Sequence, residues 1–82
     1  MTHSAVETEL ELSRGFIREH LGPDVPDDSD LFESGLASSL FAVQIVMWIE
    51  RTFEISVQSH EMNIENFQSI AAVAEFVRQR RF

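Results

Sequence analysis

The sequence predicts an all-α fold: a single bundle of four helices, three of them long, with a short third helix and a long first loop. Three observations carry that expectation. Apolar residues recur at helical spacing in three separate stretches, and each stretch ends in turn chemistry or in a change of charge. Strand-like alternation is limited to Ile55 and Val57 around Ser56, too short to build a sheet. At 82 residues the chain supplies one modest core and no second one, so residues 1–82 are expected to form one domain.

The first helix is signalled by Ser4 and Glu7, an S-x-x-E capping box in which hydroxyl and carboxylate each satisfy a backbone N–H. A helix is expected from about Ala5, with Val6, Leu10, Ser13, Ile17 and Leu21 on one face and Leu12 and Phe16 beside them. Gly22-Pro23 stops it, because proline has no N–H to give and clashes with the preceding turn. Gly15 inside the helix costs about 1 kcal/mol relative to alanine, which points to close packing against another helix.

Residues 24–35 (DVPDDSDLFESG) hold five acids, Pro26 and Gly35, and read as an ordered loop anchored by Val25, Leu31 and Phe32. A calcium-loop template started at Asp28 fits at Asp30. It fails at Phe32, Glu33 and Ser39, so a solvated acidic loop is the better reading. The loop runs into a helix over LFAVQIVMWIERTF. At about 100° per residue, Ala42, Ile45, Val46, Ile49 and Phe53 share a core-facing stripe. Leu40, Phe41, Met47 and Trp48 fall on the other side with Gln44 and Arg51, leaving an apolar face that needs a partner. Beyond an extended link through Ile55 and Val57, Ser59 is expected to cap a short helix reaching about Glu65, with Met62 and Ile64 inward. Ile70, Val73, Ala74 and Val77 mark the last helix, capped near Asn66 or Ser69, with Phe76 alongside. Arg78, Arg80 and Arg81 suit its C-terminal dipole.

Composition excludes several function classes. There is no cysteine, hence no disulfide, thiolate metal site or cysteine nucleophile, and a reducing compartment is the natural setting. Neither a signal peptide nor a membrane span is evident, and a soluble cytoplasmic protein is expected. The net charge of −8 disfavours nucleic acid, and the acidic body should steer basic partners towards it. His3, His20 and His60 have neither metal-ligand spacing nor a recognisable relation to Ser38 or Ser39, so no metal site and no intrinsic enzyme activity are expected.

What remains is a pair of serines where a helix begins. Free backbone N–H groups and the helix dipole there suit a phosphate ester. Physics alone favours the plainer alternative, that Ser38 or Ser39 only caps the helix.

The pattern Leu31-Phe32, Gly35, Ser39-Leu40, Val43, Ile45-Val46, Glu50, Phe53 and Ile55, closed by Asn66-Phe67, Ser69-Ile70 and Phe76-Val77, resembles the acyl and peptidyl carrier proteins across nearly the whole chain. The resemblance implies the carrier-protein bundle and a serine that receives 4′-phosphopantetheine from coenzyme A through a separate phosphopantetheinyl transferase. The thiol of that arm then holds a substrate as a thioester. Carried over, the serine is Ser39, seven residues after Phe32 and fourteen before Phe53. Leu40, Phe41, Val43, Gln44, Met47 and Trp48 are the implied contacts for loading and processing enzymes, and a monomer is the family expectation.

The departures from the family pattern narrow the role. Ser38 stands where the family usually has aspartate, and Gly35 lies four residues before Ser39, as in D-alanyl and several stand-alone carriers. Phe41, Gln44 and Arg51 replace acids usual in fatty-acid carriers, against a housekeeping fatty-acid role. The stretch SSLFAVQIVMWIERTF looks most like free-standing carriers of polyketide and related pathways, including those on which unusual extender units are made. A D-alanyl or aminoacyl (peptidyl) carrier is the nearest alternative. A helical docking domain that never bears an arm is the alternative from another class.

Overall fold

The computed structural model describes residues 5–81, with side chains from residue 8. It is all-helical: α1 (Ala5–Leu21), α2 (Ser39–Phe53) and α3 (Ile70–Arg81), with two 3₁₀ turns, Ser59–Glu61 and Ile64–Asn66, before α3. α1 begins where the capping box places it, although Ser4 and the Glu7 side chain lie outside the described residues. It ends at Gly22, whose φ of 130° only glycine adopts freely and whose N–H donates to the Arg18 carbonyl at 2.9 Å. Gly15 has nothing within 4 Å of where a Cβ would sit, so the expected close helix contact is not there.

The core joins Ile17 of α1, Val25 and Leu31 of the loop, Ile45, Val46 and Ile49 of α2, and Ile70, Val73, Phe76 and Val77 of α3. α3 lies against α1, and Ser69 caps it by accepting the Ala72 N–H at 3.0 Å. The buried polar groups are less expected. Glu9 is fully buried in α1 and accepts from Arg81 Nη1 at 3.1 Å, while Glu9 Oε1 and Ser13 Oγ have no hydrogen-bond partner among the described residues.

The first loop is pinned at both ends. The Leu31 N–H donates to the Gln68 carbonyl at 2.7 Å and the Ala37 N–H to the Leu31 carbonyl at 2.9 Å. The Asp30 carboxylate accepts the N–H groups of Phe32 and Glu33, holding the turn from within. Val25 and Leu31 are buried and Phe32 half-buried, as expected. The loop is not simply a solvated acidic run. Arg14 grips Asp27 with Nε and Nη2, Arg18 adds a third donor, and the Asp27 carbonyl accepts from Ala71 N, tying α1, loop and α3 together. The Arg14 hydrogen bonds, followed by the charges of Arg14 and Arg18, outweigh burial and hold the Asp27 carboxyl below its ordinary value.

The short third helix needs correction. Two 3₁₀ turns replace it, and Met62 and Ile64 are exposed rather than inward. Asn63 Nδ2 donates to the His60 carbonyl and Asn66 Nδ2 to the Glu61 carbonyl, side-chain bonds that compete with a continuous α-helical ladder. The core position falls to Phe67, which meets Phe76 edge-on at 5.3 Å.

Candidate functional site

The site is built where the loop enters α2. Gly35, at a φ of 85°, donates its N–H to the Phe32 carbonyl at 3.2 Å and turns the chain, and Leu36 and Ala37 follow. Ser38 is the cap residue, with extended backbone (φ −87°, ψ 167°), and its carbonyl accepts the Phe41 N–H at 2.9 Å. Its hydroxyl makes no capping hydrogen bond.

Ser39 is the first residue of α2 and is exposed, and its hydroxyl has no hydrogen bond among the described residues. No acidic residue occupies the first turn of α2, so the dipole there is uncompensated by the chain's own charge. A hydroxyl in open solvent beside unpaired N–H groups can be esterified without disturbing packing, and a phosphodiester on it is electrostatically favoured. The residues present therefore fit a covalent 4′-phosphopantetheine arm.

The face of α2 beyond Ser39 is partly as projected. Leu40 is 67% exposed and Met47 55% exposed, and Val43, Gln44 and Arg51 also face solvent. Phe41 does not belong with them. It is 7% exposed and stacks on Phe16 of α1 at 5.9 Å with the rings 6° apart, and the His20 ring lies at 5.6 Å. Trp48 is half-buried, stacked on Phe16 at 4.7 Å and edge-on to Phe53 at 5.4 Å. Phe53 is half-buried at the rim of this cluster. The projection erred because it allowed α2 one stripe of about 100°, whereas from Phe41 round to Val46 the buried arc is about 140° wide. α1 covers the extra side through Phe16.

Among the described residues, no side chain hydrogen-bonds to either serine hydroxyl. His20 Nδ1–H donates to the Phe16 carbonyl at 2.9 Å, and no hydrogen bond among the described residues joins His20 or His60 to Ser38 or Ser39. His3 lies outside the described residues. No cluster of three or more potential metal ligands occurs among the described residues, and none of their helices is long and apolar enough to cross a membrane.

Comparison with known proteins bears on the family of the chain. The family model of the phosphopantetheine attachment site matches residues 14–77, which include the loop, α2 and most of α3. A D-alanyl carrier protein of Streptococcus uberis is 34% identical over 58 residues, 68% of this chain and 73% of that one. A D-alanyl carrier protein of Lactobacillus delbrueckii subsp. bulgaricus is 31% identical over 65 residues, 77% of this chain and 81% of that one. An aminoacyl carrier protein of Agrobacterium fabrum is 35% identical over 54 residues, 66% of this chain and 64% of that one. No solved structure matches.

Proposed function

This chain belongs to the phosphopantetheine-attachment family of carrier proteins, and on that premise we propose that Ser39 bears the arm and that residues 1–82 form one non-catalytic carrier domain. The observation that carries the reading is the exposed, unpartnered Ser39 hydroxyl at the first turn of α2. In attachment, Ser39 Oγ would give up its proton and form a bond to the pantetheine-bearing phosphorus of coenzyme A as the pyrophosphate bond breaks, with adenosine 3′,5′-bisphosphate leaving. The transferase is taken to supply the base for that proton, since no described side chain hydrogen-bonds to Ser39. The amide groups of the first turn of α2, with no acidic side chain among them, would stabilise the phosphodiester charge. When bound, the arm supplies the thiol on which a carboxylic acid is held as a thioester.

For the cargo, an amino acid is the reading best supported. The relatives named above are D-alanyl and aminoacyl carriers, and Gly35 has the D-alanyl spacing. A polyketide-type acyl group, including an unusual extender unit, is the second reading and rests on the stretch SSLFAVQIVMWIERTF. Loading and processing enzymes are taken to meet the carrier on Leu40, Val43, Gln44 and Met47 beside the arm, in the cytoplasm and with the carrier as a monomer. The test is the mass of the group ejected with the arm from protein purified from its own cells. An aminoacyl mass with a free amine supports the first reading, and a malonyl-type or other amine-free acyl mass overturns it in favour of the second.

A further inference from the structure

Two open clefts lie side by side along the seam between α1 and α2. The first, of about 240 Å³, is bounded by His20, Leu36, Leu40 and Gln44 and reaches Ser38. The second, of about 230 Å³, is bounded by Phe16, His20, Gln44, Met47 and Arg51. His20 and Gln44 border both, so the clefts form one groove leading away from the start of α2. Among the described residues no carboxylate lines either of them, in a chain whose net charge is −8.

Arg51 makes that contrast specific. The other five arginines each hold a carboxylate: Arg14 and Arg18 on Asp27, Arg78 on Glu75, Arg80 on Glu61 and Arg81 on Glu9. Arg51 alone has no carboxylate partner among the described residues, and it stands at the groove beside exposed Met47. A guanidinium is suited to bidentate contact with a carboxylate. With none of the described acids at Arg51 in a chain that has fourteen, the missing counter-charge is one that another molecule can bring.

We propose that the groove is a docking surface for a partner protein that sets a carboxylate on Arg51 and apolar side chains in the two clefts around His20 and Gln44. The proposal rests on the carrier reading and names the chemistry of the partner that meets α2. It gives the docked contact a sign opposite to the long-range field of the acidic body. Gln44, with both donor and acceptor, fixes the orientation, and a lysine or arginine placed over Arg51 would meet like charge.

A random peptide library displayed on phage and panned on the arm-bearing protein at physiological ionic strength tests this directly. Enriched peptides are expected to join Asp or Glu to an aromatic or aliphatic residue and to shift the amide resonances of His20, Gln44, Met47 and Arg51. Arg51→Glu is expected to weaken their binding about tenfold or more, and Arg51→Gln by a smaller factor. Enrichment of basic peptides, shifts confined to other faces, equal binding by Arg51→Glu, or occupation of the groove by a second copy would each overturn the proposal. Intact mass after incubation with coenzyme A and a broad-specificity transferase separates the two levels. If wild type and Arg51→Glu both gain the arm but no acidic peptide is selected, only the groove is refuted. If wild type gains no arm, the carrier reading itself falls, and the groove proposal with it.

Discussion

Phe41→Ala is the substitution on which projection and packing disagree most. The helical projection puts the ring outside, and its loss would then cost little. The structure buries all but 7% of the residue and stacks it on Phe16. Truncating a buried phenylalanine costs about 3–5 kcal/mol. The lower end applies, because the ring borders an open cleft and water can enter part of the vacated space. A domain of 82 residues has a total stability of about 4–12 kcal/mol. A loss of about 3 kcal/mol therefore removes a quarter or more of it and lowers the melting temperature by about 12–24 °C. Met47→Ala, on the exposed face, should cost no more than about 0.5 kcal/mol. Thermal melts followed by far-ultraviolet circular dichroism, with Trp48 fluorescence reporting on the Phe16 cluster, give both values. Equal, small shifts for the two variants would refute the packing of α2 against α1.

Three other substitutions test separate contacts. Asp27 has its carboxyl held below the ordinary value of 3.8, so the stability it contributes is fully present above that value and is lost below it, as pH falls through the lowered value of the folded state. Asp27→Asn should be less stable than wild type at neutral pH, and the gap should close on acidification. A gap constant from neutral to acid pH in urea titrations would deny the Arg14–Asp27 contact a role. Arg81→Met should destabilise by leaving the buried Glu9 charge unpaired, whereas Glu9→Leu should be neutral or stabilising. Reversal of that order in chemical denaturation would contradict the burial of Glu9. Ser69→Ala should cost about 1 kcal/mol through loss of the α3 cap, read from the same titrations, and no change would mean that the Ala72 N–H finds another acceptor.

Element positions were legible wherever local chemistry decides them. Gly22-Pro23 ends α1, Ser69 caps α3, and Ile45, Val46 and Ile49 point inward, because capping, φ restriction and helical period act within a few residues. That Ser38 and Ser39 stand where a helix begins was legible, and the exposure of Ser39 at the head of α2 follows from the turn at Gly35. What the chain hides is set by neighbours distant in sequence. Phe41 is internal because Phe16, 25 residues earlier, covers the flank of α2 that a single stripe leaves bare. Glu9 is buried because Arg81 reaches it from the far end of the chain, and Asp27 serves as a bridge because Arg14 and Arg18 project from the adjoining helix. The residues 59–66 resist a pattern reading because Asn63 and Asn66 spend their amides on nearby carbonyls, so the segment closes as two tight turns.

The account turns on one hydroxyl, and intact mass spectrometry addresses it most directly. Wild type, Ser38→Ala and Ser39→Ala are incubated with coenzyme A, magnesium and a broad-specificity phosphopantetheinyl transferase. Wild type and Ser38→Ala should each gain one phosphopantetheinyl group. Ser39→Ala should gain none, with its circular dichroism and melting unchanged, since neither serine supplies a side-chain contact that holds the fold. An arm on Ser39→Ala and none on Ser38→Ala would move the attachment point by one residue, and no arm on wild type would contradict the assignment of this chain as a carrier.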